Sequence, residues 1–243
     1  MKNFVRGTLQ KTFSFEIYLF LFSLYSIKTA VFGNYEKEFL HFIKIIKKDG
    51  IILDIGANIG ITAAPLGKSF PKSEIHAYEP IPENFSTLVK VVNYLKIPNI
   101  KFFNMALGSE EGSLKMIMPI RGNSKMQGLS KAHKPGSNEE GVLYEVPLKT
   151  LDELYPDQTG ITAIKIDVEN FEFEVLRGGK KLLERNMPMI YCELWDNENR
   201  TNVFDLLTSL GYKTYIYTGE SATLEQVDLR KKVPGSNFFF LNS

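Results

Sequence analysis

Short apolar runs alternate with helix-period segments along the chain after residue 36, and this alternation restricts the fold more than any other feature. Phe85, Leu88, Val89, Val92 and Leu95, for example, recur at the spacing of one helix face. Alternation of this kind is typical of repeated β-α-β units, so the sequence predicts an α/β fold with a mostly parallel sheet and helices on both of its faces. Seven runs are predicted to be strands: Ile51 to Ile55, Glu74 to Tyr78, Ile100 to Met105, Ile161 to Ile166, Pro188 to Leu194, Tyr212 to Tyr217 and Phe238 to Leu241.

Composition excludes several classes of protein. The chain has 243 residues, 44% of them hydrophobic, which is enough for a large core without disulfides or a structural metal. The 29 basic and 28 acidic residues give a net charge of +1, so no broad basic surface points to nucleic acid. The single cysteine, Cys192, excludes an internal disulfide, and with three histidines no zinc-ligand spacing can be assembled. A reducing, cytoplasmic setting is therefore expected.

The N-terminus is the most apolar part of the chain. Ile17 to Ile27 contains no charge, but eleven residues are too few to cross a bilayer, which takes about 20. We therefore expect residues 1–35 to form an apolar helical extension that packs on the domain or on a partner, without stable membrane insertion. An export or anchor segment is the less favoured alternative. Residues 36–243 then form the main domain.

Residues 119–141 interrupt the α/β pattern. They contain four glycines, two prolines and mostly polar residues, so they are not expected in the core. Predicted short strands, Ser113 to Met118 and Val142 to Leu148, flank this 119–141 segment and would hold its ends together. The sequence favours a lid or substrate loop over a disordered segment.

A glycine turn follows the first predicted strand. Gly56-Ala57-Asn58-Ile59-Gly60 resembles a dinucleotide-binding loop, but Asn58 and Ile61 stand where that motif requires glycines. The carboxylate of Asp54 at the strand end would repel a diphosphate, whereas it suits a ligand that carries an ammonium and a sulfonium group. S-adenosylmethionine is such a ligand, with Asp54 expected at its methionine end.

Two further strand ends complete the expected cofactor site. Glu79 follows the second strand and is placed to accept the ribose hydroxyls, as acids at this distance do in dinucleotide enzymes. Asn104 and Ala106 lie at the end of the third strand and could frame an adenine, although an asparagine there also suits a simple turn. The sequence-predicted cofactor residues are Asp54, Gly56, Ala57, Asn58, Gly60, Glu79, Asn104 and Ala106.

The chain resembles the FkbM-type family of S-adenosylmethionine-dependent methyltransferases. The resemblance rests on four blocks in family order: Leu53 to Gly60, Tyr78-Glu79-Pro80, Thr150 to Leu154, and Ile164 to Glu172 with Leu176 to Gly179. It implies a class I methyltransferase sheet, Rossmann-like, with an antiparallel last strand, and an acceptor that is usually a hydroxyl of a sugar or secondary metabolite.

Two residues depart from the family pattern. Asn170 stands where the family prefers glycine, and an asparagine that tolerates a left-handed backbone would satisfy that position. Pro65 lies inside the helix after the glycine turn and is expected to kink it.

Methyl transfer to a hydroxyl needs a general base beside the acceptor. Period-two geometry places Lys165 and Asp167 on one face of the fourth strand, with Asp167 at its carboxyl end, so Asp167 is the expected base. Lys165 is expected either to orient the acceptor or to form an interior ion pair. Glu193, at the end of an apolar strand, and His133, in the 119–141 segment, are further catalytic candidates.

A divalent metal is a less favoured addition. Asp167, Glu193, Asp196 and Asn197 offer oxygen ligands suited to magnesium, but ordinary acidic strand ends explain them as well. The sequence therefore predicts an O-methyltransferase that acts on a small-molecule or glycan acceptor, with homodimerisation left open. The alternatives are a binding protein without turnover on the same scaffold and a methyltransferase for another small-molecule nucleophile.

Overall fold

A computed structural model describes residues 10, 12–29, 37–134, 136–219, 223–229, 231 and 233–242. Within these ranges an eight-stranded sheet carries helices on both faces, and a smaller five-stranded sheet lies beside it. The helices are α1 Phe15–Thr29, α2 Lys37–Ile45, α3 Ala63–Ser69, α4 Pro82–Tyr94, α5 Leu151–Leu154, α6 Glu172–Arg177, α7 Lys180–Asn186 and α8 Glu198–Ser209.

The strands of the large sheet are β1 Ile51–Ile55, β2 Glu74–Tyr78, β3 Ile100–Phe103, β9 Ile161–Ile166, β10 Met189–Glu193, β11 Tyr212–Thr218, β12 Thr223–Gln226 and β13 Asn237–Asn242. They have the order β12-β11-β13-β10-β9-β1-β2-β3. The core strands β3, β2, β1, β9 and β10 are parallel, whereas β13 runs antiparallel between β10 and β11. The expected sheet with an antiparallel last strand is therefore confirmed.

The seven predicted strands are all present, and β12 is an addition that the sequence analysis missed. β12 pairs antiparallel with β11 at one edge of the sheet, and its residues are half-buried or exposed. A short strand with little buried apolar surface shows no strong hydrophobic pattern in its sequence. Pairing with β11 stabilises β12 although its own sequence does not predict a strand.

The smaller sheet is built around the 119–141 segment. Its strands are β4 Ala106–Leu107, β5 Gly112–Arg121, β6 Ser124–Lys125, β7 Lys131–Ala132 and β8 Gly141–Lys149. β5 and β8 contain the two predicted flanking strands and pair antiparallel. The segment between them is more ordered than expected, because β6, β7 and a 3₁₀ turn at Gln127–Leu129 lie within it, and Ser124 and Gln127 are buried.

Local signals explain several helix ends. The Thr150 hydroxyl accepts a hydrogen bond from the Glu153 amide at 3.1 Å, which caps α5 as its sequence predicts. Gly211 follows α8 with a φ of +89°, the left-handed conformation that ends helices. The expected kink at Pro65 does not arise, because α3 begins only at Ala63 and the proline lies in its first turn.

Helix α1 packs on the domain, as expected of the apolar N-terminal segment. Leu19 and Tyr18 are buried against Ile59, and the Ser23 hydroxyl donates to the Ile59 carbonyl at 2.7 Å. α1 therefore packs against the glycine turn and supports it through Ile59. The remainder of the predicted extension, residues 1–9, 11 and 30–35, lies outside the described residues, and within the described ranges no helix is long and apolar enough to cross a membrane.

Candidate functional site

The glycine turn is held between the two strands that flank β1. The amides of Gly56 and Ala57 both donate to the Tyr78 carbonyl of β2, at 3.0 and 2.9 Å. Gly56 has a φ of +78°, and a Cβ atom there would lie 1.9 Å from the Asp167 carbonyl oxygen. Only glycine permits this contact, so the turn and the end of β9 lie directly against each other.

Glu79 is enclosed by hydrogen-bond donors at the end of β2. Its carboxylate accepts from the amides of Asn58 and Ile81, both at 2.9 Å, and from the Asn84 side chain at 3.3 Å. Burial raises the pKa of Glu79 to about 7, although these donors and Lys165 oppose the shift. The side chain therefore titrates near neutral pH.

A first cavity, of about 50 Å³, lies over Glu79 and the glycine turn. Three amide oxygens on its wall, Asn58 Oδ1, Asn84 Oδ1 and Gln127 Oε1, are buried without a hydrogen-bond partner in the described part of the chain. Unsatisfied buried acceptors are costly, so this wall is suited to a ligand that brings several donors. Gln127, Gly128 and Ser130 cover the cavity from the 119–141 segment.

A second, mainly apolar cavity of about 30 Å³ adjoins the first, and the two share Gly56, Pro80, Met116 and Val168. Met105, Ala106 and Phe171 line it. Asn104 does not line it, because its amide donates to the carbonyls of Glu79 and Pro80 at 2.8 and 3.0 Å. This asparagine secures a turn, which is the simpler of the two roles expected for it.

Asp54 and Lys165 face each other on neighbouring strands. They are paired residues of β1 and β9, and Lys165 Nζ lies 3.5 Å from Asp54 Oδ1, 3.6 Å from Asp167 Oδ2 and 3.0 Å from the Gly56 carbonyl. The shared face of Lys165 and Asp167 is as the sequence analysis expects. Asp54 is fully buried, accepts from the Thr62 hydroxyl at 2.7 Å, and lies behind the first cavity rather than on its wall.

The charges in this group are coupled. Burial raises the pKa of Asp54, opposed by Lys165 and by the Thr62 hydrogen bond. Burial by itself would lower the pKa of Lys165, but the carboxylates of Asp167 and Asp54 outweigh it and raise that pKa. Lys165 is therefore a fixed ammonium group that orients carboxylates, and it is not suited to accept a proton.

A third cavity, of about 70 Å³, opens on the same face of the sheet as Lys165. Asp167, Glu193 and Asn237 line it together with Lys165, Thr62 and Tyr191. Glu193 and Asn237 are paired residues of β10 and β13, and Asn237 Oδ1 is buried without a hydrogen-bond partner among the described residues. Asp167 lines both the first and the third cavity, and it is the residue that their linings share.

The turn after Asp167 has an unusual backbone. Glu169 and Asn170 have φ values of +53° and +74°, so Asn170 adopts the left-handed conformation that its sequence predicts. Glu172 Oε1 accepts from the amides of Val168 and Asn170 at 3.3 and 3.0 Å, which holds the turn in place. Burial, with the carboxylates of Asp167, Glu193 and Glu172, raises the pKa of Glu169 to about 8.

The other predicted candidates lie apart from these cavities. Ala132 lines the second cavity, whereas the neighbouring His133 lines none of the three. Asp196 forms an ion pair with Arg200 at 3.4 Å, and the Asn197 side chain donates to Asn170 Oδ1 at 2.7 Å. Within the described ranges, no three or more His, Cys, Asp or Glu residues form a group that could hold a metal.

Sequence reasoning missed Asn84, Gln127 and Asn237. Asn84 lies near the start of a helix, Gln127 in a turn and Asn237 at the start of a strand. Polar residues are common at such positions, so no local pattern distinguishes these three. Only Gln127 carried an indirect signal, because it lies in the segment predicted to be a lid.

Comparison with known proteins identifies the enzyme class. The methyltransferase FkbM domain matches residues 54–214, which is more than half of the chain and includes the glycine turn, Glu79, Lys165, Asp167 and Glu193. The chain belongs to the FkbM methyltransferase family. The expected family and the class I methyltransferase fold are thereby confirmed.

Relatives of this FkbM methyltransferase occur in fungi and bacteria. It is 28% identical over 181 residues to Methyltransferase 1 of Beauveria bassiana, covering 65% of this chain and 72% of that one. It is 27% identical over 165 residues to the 2-O-methyltransferase NoeI of Sinorhizobium fredii, covering 63% and 66%. The crystal structure of methyltransferase FkbM from Methylobacillus flagellatus shares the fold, with a TM-score of 0.54 at 15% identity over 85% of this chain. This chain spans 48% of that protein's length.

Proposed function

We propose that this FkbM methyltransferase is an S-adenosylmethionine-dependent O-methyltransferase that modifies a hydroxyl group of a sugar, glycan or secondary metabolite. The observation that carries the proposal is that Asp167 lines both the first and the third cavity. A base placed there reaches an acceptor on one side and the reacting methyl group on the other.

The residues that line the first two cavities suit parts of S-adenosylmethionine. Its ribose hydroxyls and amino groups are donors, and the first cavity offers Glu79 with the unsatisfied oxygens of Asn58, Asn84 and Gln127. The apolar second cavity, lined by Met105, Ala106 and Phe171, suits the flat adenine ring. When bound, the cofactor supplies an electrophilic methyl group on a sulfonium, which needs no metal to activate it.

The third cavity is our proposed binding place for the acceptor hydroxyl. Asn237 and Glu193 line it and can hydrogen-bond a hydroxyl there, while Asp167 accepts its proton. Lys165 holds the Asp167 carboxylate at 3.6 Å and thereby fixes the direction in which it accepts. NoeI, which is named a 2-O-methyltransferase, supports an oxygen acceptor, and we extend that acceptor class to this chain as part of the proposal.

Two measurements test the proposal. Calorimetry with S-adenosylhomocysteine should show binding, weakened by about 1.5 to 3 kcal/mol in Glu79→Ala, since a hydrogen bond to a charged group is lost. Incubation with methyl-labelled S-adenosylmethionine and a panel of glycans and metabolites, followed by mass analysis, should show a product with one added methyl group. Absence of cofactor binding by the folded protein contradicts the proposal. Binding without label transfer to any acceptor indicates instead a binding protein that has lost turnover.

A further inference from the structure

The outward side of α1 is an exposed apolar surface, although a surface helix normally turns polar residues to solvent. Ile17, Leu21 and Tyr25 follow one another at four-residue spacing and are 50%, 48% and 66% exposed. Phe13, just before the helix, is 41% exposed, and Tyr94 of α4, 66% exposed, packs edge-on against Phe20 of α1. We call these five exposed residues, Phe13, Ile17, Leu21, Tyr25 and Tyr94, the outer face of α1.

Packing among the described residues does not account for the outer face. The opposite side of α1 already supplies the buried contacts, through Tyr18, Leu19 and Ser23. Large exposed apolar patches on soluble domains mark surfaces that bind something. The outer face therefore needs an occupant outside the domain.

Charge decides which occupant fits. Residues 1–29 contain four cationic side chains, Lys2, Arg6, Lys11 and Lys28, against the single acid Glu16, a net charge of +3. The whole chain carries +1, so the remaining residues sum to −2. Glu16 is itself paired with Lys90 at 2.7 Å, and Lys28 is exposed at the end of α1. Positive charge is thus concentrated in the segment that carries the apolar surface.

We propose that the outer face of α1 docks on an anionic lipid surface, with the helix lying in the plane of the interface. An apolar helix side with aromatic residues and flanking cations is the composition of interfacial helices, whose apolar side chains enter the acyl boundary while cations meet acidic headgroups. A helix of 15 residues is too short to span the bilayer but sufficient to lie on it.

A second copy of the chain suits this surface less well. Stable protein interfaces engage about 20–30 residues on each side, whereas the outer face offers five exposed apolar residues. A lipid surface has no such requirement, because each inserted side chain contributes independently. The inference does not depend on the proposed function, since lipid binding and cofactor binding are measured separately.

The test is vesicle flotation with the full chain. We expect binding to vesicles that contain phosphatidylglycerol, weakened by added salt, and at least about tenfold less binding to pure phosphatidylcholine. The double variant Ile17→Ser with Leu21→Ser should bind the anionic vesicles at least about tenfold less. Leu143→Ser is the matched control, because Leu143 is 62% exposed on the smaller sheet and should leave binding unchanged.

Folding of the double variant is checked by its thermal transition and by S-adenosylhomocysteine titration, both of which should match the parent. If that variant does not fold, Tyr25→Ser replaces it, because Tyr25 is the most exposed of the large hydrophobic residues of α1. Failure of the parent to bind anionic vesicles overturns the proposal, as does equal binding by a folded variant. A parent dimer that dissociates in the variant, without vesicle binding, assigns the outer face to a second copy and also overturns it.

Discussion

Three oxygen atoms surround the ammonium group of Lys165: Asp54 Oδ1, Asp167 Oδ2 and the Gly56 carbonyl. Because Asp54 is fully buried and Asp167 is partly exposed, the two carboxylates serve different purposes. The buried Asp54 carboxylate balances the Lys165 charge within the sheet, and the partly exposed Asp167 carboxylate remains available to a substrate. This division of roles makes Asp167 the residue at which chemistry is expected.

Asp167→Asn should separate binding from chemistry. The amide keeps the shape of the carboxylate but cannot accept the acceptor proton, so methyl transfer should fall by about a hundredfold or more. Affinity for S-adenosylhomocysteine should stay within a few-fold. Single-turnover rates and calorimetry measure the two quantities. His133→Ala is the comparison, and if it abolishes turnover while Asp167→Asn does not, the base lies in the 119–141 segment.

Replacing Asn237 should weaken binding of the acceptor without lowering the stability of the fold. Its Oδ1 is buried without a partner in the described structure, so Asn237→Ala removes an unsatisfied acceptor and should leave the free energy of unfolding unchanged or slightly higher. Loss of one hydrogen bond to the acceptor should raise its KM about three- to tenfold while cofactor affinity is preserved. A lower stability with unchanged KM shows that Asn237 is only structural.

Cofactor affinity should depend on pH through Glu79. Ribose hydroxyls donate to the ionised carboxylate, and the pKa of this group is raised by burial to about 7. Affinity for S-adenosylhomocysteine should therefore rise as pH increases from 6 to 8, by about tenfold at most for each pH unit below the pKa. Calorimetry across this range checks it, and Glu79→Gln should show weaker binding without the slope. An identical slope in that variant assigns the titration to another group.

At the scale of elements, the 119–141 segment and α1 enclose the glycine turn from opposite sides. Gln127, Gly128 and Ser130 cover the first cavity, while Ser23 of α1 holds the Ile59 carbonyl from behind. The cavities of about 50 and 30 Å³ are smaller than the roughly 300 Å³ at which small-molecule pockets begin. Entry of the cofactor therefore requires a cover to move, and we expect the 119–141 segment, which the sequence predicts to be a lid, to be the part that moves.

Hydrogen exchange should report that movement. In the free protein, amides of the 119–141 segment should exchange faster than those of α1 or β1, and they should slow when S-adenosylhomocysteine and an acceptor are added together. Its glycines permit the hinge motion, and closure adds contacts through Gln127. Exchange that is equally fast with and without ligands assigns no lid function to the segment.

At the scale of the whole molecule, two hydrophobic clusters lie on the two sides of the large sheet. Ile55, Tyr78 and Phe238 belong to one, and Phe39 and Phe239 to the other. The charged group at Lys165 lies on the second side, since Tyr191 of that cluster is its strand partner. The carboxyl groups of Asp54 and Glu79 are thus buried, and because burial raises their pKa values, their ionisation opposes folding.

This burial predicts a pH-dependent stability difference. Folding raises the pKa values of Glu79 and Glu169 from about 4.5 to about 7 and 8, so the unfolded chain releases these protons first as pH increases. Their contribution to stability is complete below pH 4.5 and is lost as pH rises through 7 and 8. Relative to the parent, the variant Glu79→Gln should therefore gain stability between pH 5 and 8, by about 3 kcal/mol at most. Urea unfolding of both proteins at pH 5 and pH 8 measures this gain. A stability difference between variant and parent that is the same at both pH values contradicts the conclusion that burial raises the pKa of Glu79.

Much of the fold follows from the sequence. The strand pattern, the capped start of α5, the left-handed Asn170 and the common face of Lys165 and Asp167 were all predictable. Each depends on residues close together in the chain, where side-chain alternation, capping chemistry and backbone sterics act directly. The glycine turn and Glu79 were found for the same reason, as features of single strand ends.

Only the tertiary structure decided how these parts meet. It brought Gln127 and Asn84 to the first cavity and Asn237 beside Glu193, and it enclosed Asp54 behind the cavity wall. These arrangements depend on pairing between strands distant in the chain and on how the 119–141 segment folds over the sheet. Sequence periodicity indicates which face a side chain occupies, but the neighbour it meets is set by long-range packing, which no local pattern records.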